Sequence, residues 1–426
     1  MKLWEKGKKT DEKIDHFTVG NDRELDLVLA RYDVIASRAH ANMLGAIGLL
    51  TEEENKALVK ALDGIGDTIE NGTFTIEGSF EDMHSKIEFL LIEALGDTGK
   101  KIHTARSRND QVLVAMQLYL KDELIAIKKM VRELFEVLMT LAAKHQNTIL
   151  PGYTHLQVAM PSSFGLWFAA YAETLIDDLL FVDAAFQIAD QNPLGSAAGY
   201  GSSFPIDRAM TTKELGFKTL KYNVVAAQMG RGKVEKAAAM GMASVAATLS
   251  KLAMDICLYM SQNFNFISFP DDMTTGSSIM PHKKNPDVFE LVRGKCNTIQ
   301  ALPNELTLLL TNLPSGYHRD LQLTKNHLLP ALQELKACLD IVTFSLSKVA
   351  VRNDILKDPI YDQLFTVDAL NELVQAGVPF RDAYKEIATQ LESGSFTPPR
   401  DAKHTHIGSL GNLCLREIRD KMGKIS

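Results

Sequence analysis

Leu113, Leu120, Ile127, Leu134 and Leu141 recur every seven residues, and Leu124, Val131 and Leu138 follow three of them by four positions. Two such rows make one apolar seam along a helix, the pattern of a long bundle. The spacing predicts a helix over 108–143, which would reach about 54 Å at 1.5 Å per residue. A compact domain cannot cover such a seam alone, so partner helices of similar length are required. The prolines leave room for them. None of the 14 precedes Pro151, and none lies between Pro205 and Pro270; proline breaks helix interiors.

Further helices are expected over 164–190, closed by Asn192-Pro193 and the glycine-rich stretch to Gly201, and over 233–262. The latter is rich in Ala, Gly and Met (AAAMGMASVAA), small residues that permit close helix approach. A fourth is expected from Pro286 to about Thr311 and a fifth from about Asn326 to Lys348. Alternating strand patterns with hairpin turns are scarce. The fold class is therefore mainly α. Length and punctuation suggest three helical domains: an N-terminal one over 1–102, a central long-helix bundle over 103–348, and a small C-terminal one over 349–426.

Lys plus Arg number 46 against 53 Asp plus Glu, a formal charge of −7, with a pI near 5.9. That balance argues against general nucleic-acid binding. Cys257, Cys296, Cys338 and Cys414 are scattered without metal-ligand spacing, and are read as buried or incidental thiols. No HExxH-type spacing occurs among the histidines. The N-terminus lacks the apolar run of a signal peptide, and no stretch of about 20 uncharged apolar residues appears. A cytoplasmic protein with no membrane span is expected.

Three polar segments interrupt the helical text. Thr274–Pro286 combines Gly276, Ser277 and Ser278 with a Lys283-Lys284-Asn285 cluster. Such a loop is either a solvated connection or a mobile carrier of a base or nucleophile. His103–Gln111 places Arg106, Arg108 and Asn109 ahead of the first long helix, where unpaired N–H groups favour an anion. The alternative is a helix cap with surface charges. Gly152–Gln157 holds His155 between hydroxyl and amide side chains, either a structural histidine or a general acid–base near neutral pH.

Together these segments resemble one family. GSSIMPHKKNP at 276–286 is similar to the loop of the argininosuccinate lyase, fumarase and aspartase superfamily. HTARSRNDQ at 103–111, GYTHLQ at 152–157 and YHRDLQ at 317–322 narrow the resemblance to the argininosuccinate lyase family. It extends from EKIDHFTVGND at 12–22 to GVPFRDAY at 377–384. The resemblance implies a carbon–nitrogen lyase performing the reversible β-elimination of argininosuccinate to arginine and fumarate, in arginine biosynthesis, without metal or organic cofactor. It implies a homotetramer whose long helices form a central multi-helix core, with each site shared between subunits.

By motif position, Ser277 would be the base, Lys283 and Asn285 would stabilise the aci-carboxylate, and His155 would be the acid, paired with Glu290. Arg108, Asn109 and Thr154 match positions that hold the succinyl carboxylates. Tyr317, Gln322 and Lys325 match those around the arginine-derived end. Asp82 and His84 resemble a DIH segment, and Thr18 and Asp22 the N-terminal contact segment. Arg231 survives from a Ser-Asp/Glu-Arg-Asp-Phe run that here reads Met229-Gly230-Arg231-Gly232-Lys233. Other departures are His282 for Gln, DLQLTK for DLQEDK at 320–325, WEKGK for WGGRF at the N-terminus, and a C-terminal domain that reads as shortened. The lost acids bear on the arginine-side pocket more than on the elimination. A fumarate-releasing lyase for another succinylated amine, and a catalytically silent crystallin-like oligomer, are the alternatives.

Overall fold

The computed structural model describes residues 11–401 and 404–425. The five expected long helices are present: α6 (Arg108–Lys144), α7 (Phe164–Ala189), α10 (Lys233–Met260), α11 (Asp287–Leu309) and α12 (Thr324–Leu346). All eight seam residues of α6 are buried, as a heptad stripe requires. The fold is mainly α. Helices α11 and α12 continue through Pro303 and Pro330, each of which withholds one backbone donor.

Among the described residues, five helices precede the seam: α1 (Glu12–Val19), α2 (Asp22–Ala46), α3 (Glu52–Glu70), α4 (Met83–Leu95) and α5 (Asp97–Lys100). Helix α3 begins with a capping box, Thr51 and Glu54 each satisfying the other's backbone N–H. Between the long helices lie α8 (Arg208–Glu214) and α9 (Val224–Gln228); α13 (Thr366–Gln375), α14 (Phe380–Glu392) and α15 (Leu415–Met422) follow α12. The strands pair two by two: β1 (Ile149–Thr154) with β2 (Gln157–Ser163), β3 (Gln191–Asn192) with β4 (Thr219–Leu220), and β5 (Ile267–Ser268) with β6 (Ala350–Val351).

The chain divides into two compact units. One comprises the chain up to Lys128 with Phe181–Ser244 and Thr298–Leu335; the other comprises Lys129–Leu180, Val245–Asn297 and the chain from Lys336 onward. Each long helix contributes residues to both. In the first unit, Ala36, Ala39, Val114, Leu118, Leu194, Leu215 and Phe217 form one apolar cluster. There, the small residues of α10 allow close approach: a Cβ on Gly241 would come within 3.1 Å of the Val182 Cα. In the second unit, Ala369, Leu370, Ala383 and Ile387 pack α13 on α14. Helix α15 is tied to α6 and α7 by Arg419–Glu136, Lys421–Glu173 and the Arg132 bond to the Ile425 carbonyl. Among the described residues, α10 alone is long and apolar enough to cross a membrane, and 56% of that stretch is buried inside the protein.

Candidate active site

In the first unit, the ends of several helices converge on a cavity of about 260 Å³. Asp82 caps α4, accepting the Ser85 N–H at 2.8 Å and its hydroxyl at 2.7 Å. The same carboxylate takes the Arg108 guanidinium from the start of α6, and Arg108 also donates to the Ser85 hydroxyl at 2.8 Å. Burial alone would raise the Asp82 pKa, but Arg108 and His84 outweigh it and hold the group at about 2. Arg108 is correspondingly raised: burial opposes its charge, and Asp82 more than offsets that. An arginine fixed in this way beside a helix N-terminus suits a carboxylate ligand.

The opening of α6 is itself anchored. Buried Asp110 accepts the Ser107 N–H at 2.9 Å, closing the turn before the helix. Its other oxygen accepts Gly195 N–H at 3.0 Å and Ala197 N–H at 2.9 Å from the glycine-rich stretch. His103–Gln111 thus combines a structural lock with the cationic face that the sequence suggests.

His84 is buried, with Nδ1 3.0 Å from the Asp33 carboxylate on α2. The Asp33 charge and its contact with the ring hold the pair together. Burial lowers the His84 pKa, but Asp33 and Asp82 overturn that and the net shift is upward. On the α12 side, the Lys325 ammonium meets Asp22 at 2.5 Å and Asp26 at 2.6 Å. The Gln322 amide donates to the Thr18 carbonyl at 3.1 Å, as does Arg319, which also pairs with Glu81. The Arg231 guanidinium lies 5.3 Å from the centre of the Tyr317 ring. Asp82, His84, Arg108, Asn109, Arg231, Tyr317, Gln322 and Lys325 all line the cavity, with Thr18 bonded at its edge.

The lost acids at 230 and 232 have a steric explanation. A Cβ at Gly230 would lie 2.8 Å from the Ala227 carbonyl oxygen, and one at Gly232 would meet Leu310 at 2.3 Å on a φ of +81°. Instead, buried Glu235 accepts the Gly232 N–H at 2.6 Å, where it also feels the charge of Arg231. Its pKa is raised, burial outweighing those partners. The departure at residues 4–8 lies outside the described residues.

The second unit holds the other expected residues. Strands β1 and β2 form a hairpin in which Thr154 faces Gln157 across a two-residue turn made of His155 and Leu156. Both turn residues have positive φ, +54° and +59°, the pattern of a type I′ turn usually supplied by Asn-Gly. His155 and Thr154 are thereby presented in the open. The strand beneath is seated by Tyr153, whose ring packs edge-on against Phe264 at 5.3 Å and whose hydroxyl donates to Tyr361 at 3.4 Å.

The Thr274–Pro286 loop is closed at its base by Thr275 and Asn285: the Asn285 N–H donates to the Thr275 carbonyl at 2.8 Å, and its amide donates to the Gly276 carbonyl at 3.4 Å. At its tip, the Ser277 Oγ accepts N–H bonds from Ile279 at 3.3 Å and Met280 at 3.1 Å. Lys283 is exposed. Lys283, Asn285 and Glu290, the last in the first turn of α11, line a cavity of about 880 Å³ with His282 and Cys257. His155 and Glu290 make no hydrogen bond to each other within the chain. Among the described residues, no group of three or more His, Cys, Asp and Glu is arranged to hold a metal ion.

Sequence reasoning passed over Asp26, Asp33 and Glu235. The available signal was an acid falling within an apolar helical stripe. Asp26 and Asp33 share the buried face of α2 with Leu29, Ala30, Val34 and Ser37.

Residues 5–301, more than half of the chain, match the family described as Lyase. The fold is shared with solved lyases. An EDDS lyase variant with bound fumarate superposes with a TM-score of 0.80 at 22% identity, covering 96% of this chain and 89% of its own. A fumarate lyase:delta crystallin from Brucella melitensis gives 0.76 at 20% identity, with 95% and 92% covered. Curated relatives are closer in sequence. An argininosuccinate lyase of Parabacteroides distasonis is 55% identical, and one of Phocaeicola vulgatus 54%, each over 100% of this chain and 95% of the relative. One from Xylella fastidiosa is 42% identical over 98% and 94%. The chain belongs to the argininosuccinate lyase family.

Proposed function

We propose that the protein is an argininosuccinate lyase, cleaving argininosuccinate reversibly to arginine and fumarate. The observation that carries the reading is the environment of Ser277. A serine is a weak base at its ordinary acidity, and an oxygen already accepting two backbone N–H bonds has its alkoxide favoured. Ser277 takes the proton beside a succinyl carboxylate, leaving a carbanion whose charge is delocalised as the aci-carboxylate. Lys283 and Asn285 stabilise that charge, as donors pre-aimed at a developing anion do. The carbon–nitrogen bond then breaks, and His155, directly or through water, protonates the departing guanidinium nitrogen, with Glu290 orienting the imidazole.

Arg108, Asn109 and Thr154 hold the succinyl carboxylates. Tyr317, Gln322, Lys325 and Arg231 receive the arginine-derived end, with Asp82 and His84 fixing the Arg108 side and Thr18 closing the edge. A cavity mixing Arg108, Arg231 and Lys325 with Asp22, Asp26 and Asp82 suits a substrate that carries carboxylates, an ammonium and a guanidinium together. No metal or organic cofactor is assigned.

The reading includes a cytoplasmic homotetramer with sites shared between subunits, so that His155 and Glu290 pair across subunits, and a division into domains at 1–102, 103–348 and 349–426. Exposed apolar side chains on the long helices support assembly: Ile125, Phe181, Met240, Leu291, Leu308 and Phe344. Fumarate release is followed by ultraviolet absorbance on adding argininosuccinate, adenylosuccinate, aspartate or malate. The expected result is a clear preference for argininosuccinate; preference for another of the four overturns the substrate assignment. Ser277→Ala is expected to lower turnover by at least about 100-fold without disturbing assembly. Equal rates in wild type and variant would remove Ser277 as the base.

A further inference from the structure

Asp26 lies on the buried face of α2 and is 1% exposed. Its two oxygens are both committed: one accepts the Lys325 ammonium at 2.6 Å, the other the Met83 backbone N–H at 3.1 Å. It therefore ties the first turn of α12 to the first turn of α4, the segment that carries Asp82 and His84. Lys325, itself 2% exposed, spends a second donor on Asp22 at 2.5 Å, lines the cavity and carries a third donor on the same ammonium. The acids missing at 323 and 324 are replaced by exposed Leu323 and by buried Thr324, whose hydroxyl donates to the Leu321 carbonyl. Neither offers a carboxylate to the ammonium.

We infer that Asp26 is a positioning residue for the proposed lyase reaction: it fixes the Lys325 ammonium so that its remaining N–H is aimed at the arginine-derived end of the substrate. The two acids flanking Lys325 divide the work. Asp26 is saturated and acts as the anchor. Asp22 is partly open to the cavity and retains acceptor capacity for a cationic substrate group. The ammonium also keeps its proton there: burial opposes the charge, and the carboxylates of Asp26 and Asp22 reverse the effect, raising the pKa. Other charged groups close to these acids are Arg231, which acts on Asp22, and His84, which acts with Asp26.

The test is Asp26→Asn in the intact protein, assayed in the direction of arginine–fumarate condensation. The KM for arginine is expected to rise roughly tenfold or more, the usual consequence of losing a charge-assisted bond, while the KM for fumarate changes less than about threefold. The alkaline limb of kcat/KM should also move to lower pH, because burial of Lys325 is then less opposed. A residue that only supports the fold would lower thermal stability and leave both the KM ratio and the pH limb in place; that result overturns the inference. If Asp26→Asn does not fold, Asp26→Ser is read instead, which keeps a small polar acceptor but no charge, and an unchanged arginine KM overturns it equally. The inference rests on the proposed reaction, and wild-type protein separates the two. Wild type without turnover defeats the reaction, whereas wild-type turnover with unaltered variant constants defeats the role of Asp26 alone.

Discussion

Asp33 and His84 are a buried ion pair beside the first-unit cavity, and buried pairs are expensive to assemble and to break. The His84 pKa is raised above its ordinary value, so the sign of its linkage to folding is determined. The folded state binds the proton more tightly than the unfolded chain does. The stabilisation from protonation is complete below about pH 6.5 and disappears as pH rises through the higher folded value. The reference is the double variant Asp33→Asn/His84→Gln, which removes both members of the pair; buried Arg106 also loses the Asp33 charge there and keeps those of Asp110 and Glu88, a cost that does not follow the titration of His84. Urea unfolding of wild type and double variant should differ most near about pH 6. The difference should shrink toward alkaline pH with a slope approaching about 1.4 kcal/mol per pH unit. A difference that does not change with pH would mean that His84 is buried neutral, and the carboxylates around it would then need another account.

At the scale of elements, the His155–Leu156 hairpin is the least expected feature. A two-residue turn with both residues at positive φ is comfortable for Asn-Gly and uncomfortable for leucine, whose Cβ crowds its own carbonyl there. Leu156 is 73% exposed and loses little packing when truncated. Leu156→Gly should therefore raise the unfolding free energy by about 1 kcal/mol, seen as a higher denaturant midpoint with an unchanged slope. A lower midpoint would show that the leucine side chain is held by contacts worth more than the strain. The same hairpin marks a limit of what can be read from the chain. The five long helices were legible to within two or three residues at either end because apolar periodicity and proline placement act locally. The hairpin was not, since the turn has none of the usual turn residues. Motif positions such as His84 and Lys325 were legible only through the resemblance, and the fold brings them to one cavity with Arg108. Their buried partners Asp26, Asp33 and Glu235 were not, because an acid in a helix reads as a solvated charge until the fold decides which face is covered.

For the whole molecule, the expected site residues fall into two sets. Arg108, Asn109, Asp82, His84, Arg231, Tyr317, Gln322 and Lys325 belong to the first unit, and Ser277, Lys283, Asn285, His155, Thr154 and Glu290 to the second. The proposed tetramer supplies these sets to any one site from different subunits. That has a consequence no single-chain enzyme shares. Arg108→Ala and Ser277→Ala should each fall to about a hundredth of the wild-type rate or less when expressed alone. Expressed together with two different tags and purified through both, they form mixed oligomers. Some sites then combine an intact Arg108 from one chain with an intact Ser277 from another, because neither defect is carried by every subunit. Such preparations should release fumarate at a readily measured rate although both parents are nearly silent. If mixed oligomers of confirmed composition stay as inactive as the parents, each site is built from one chain. The exposed apolar side chains of the long helices would then serve assembly without completing the chemistry.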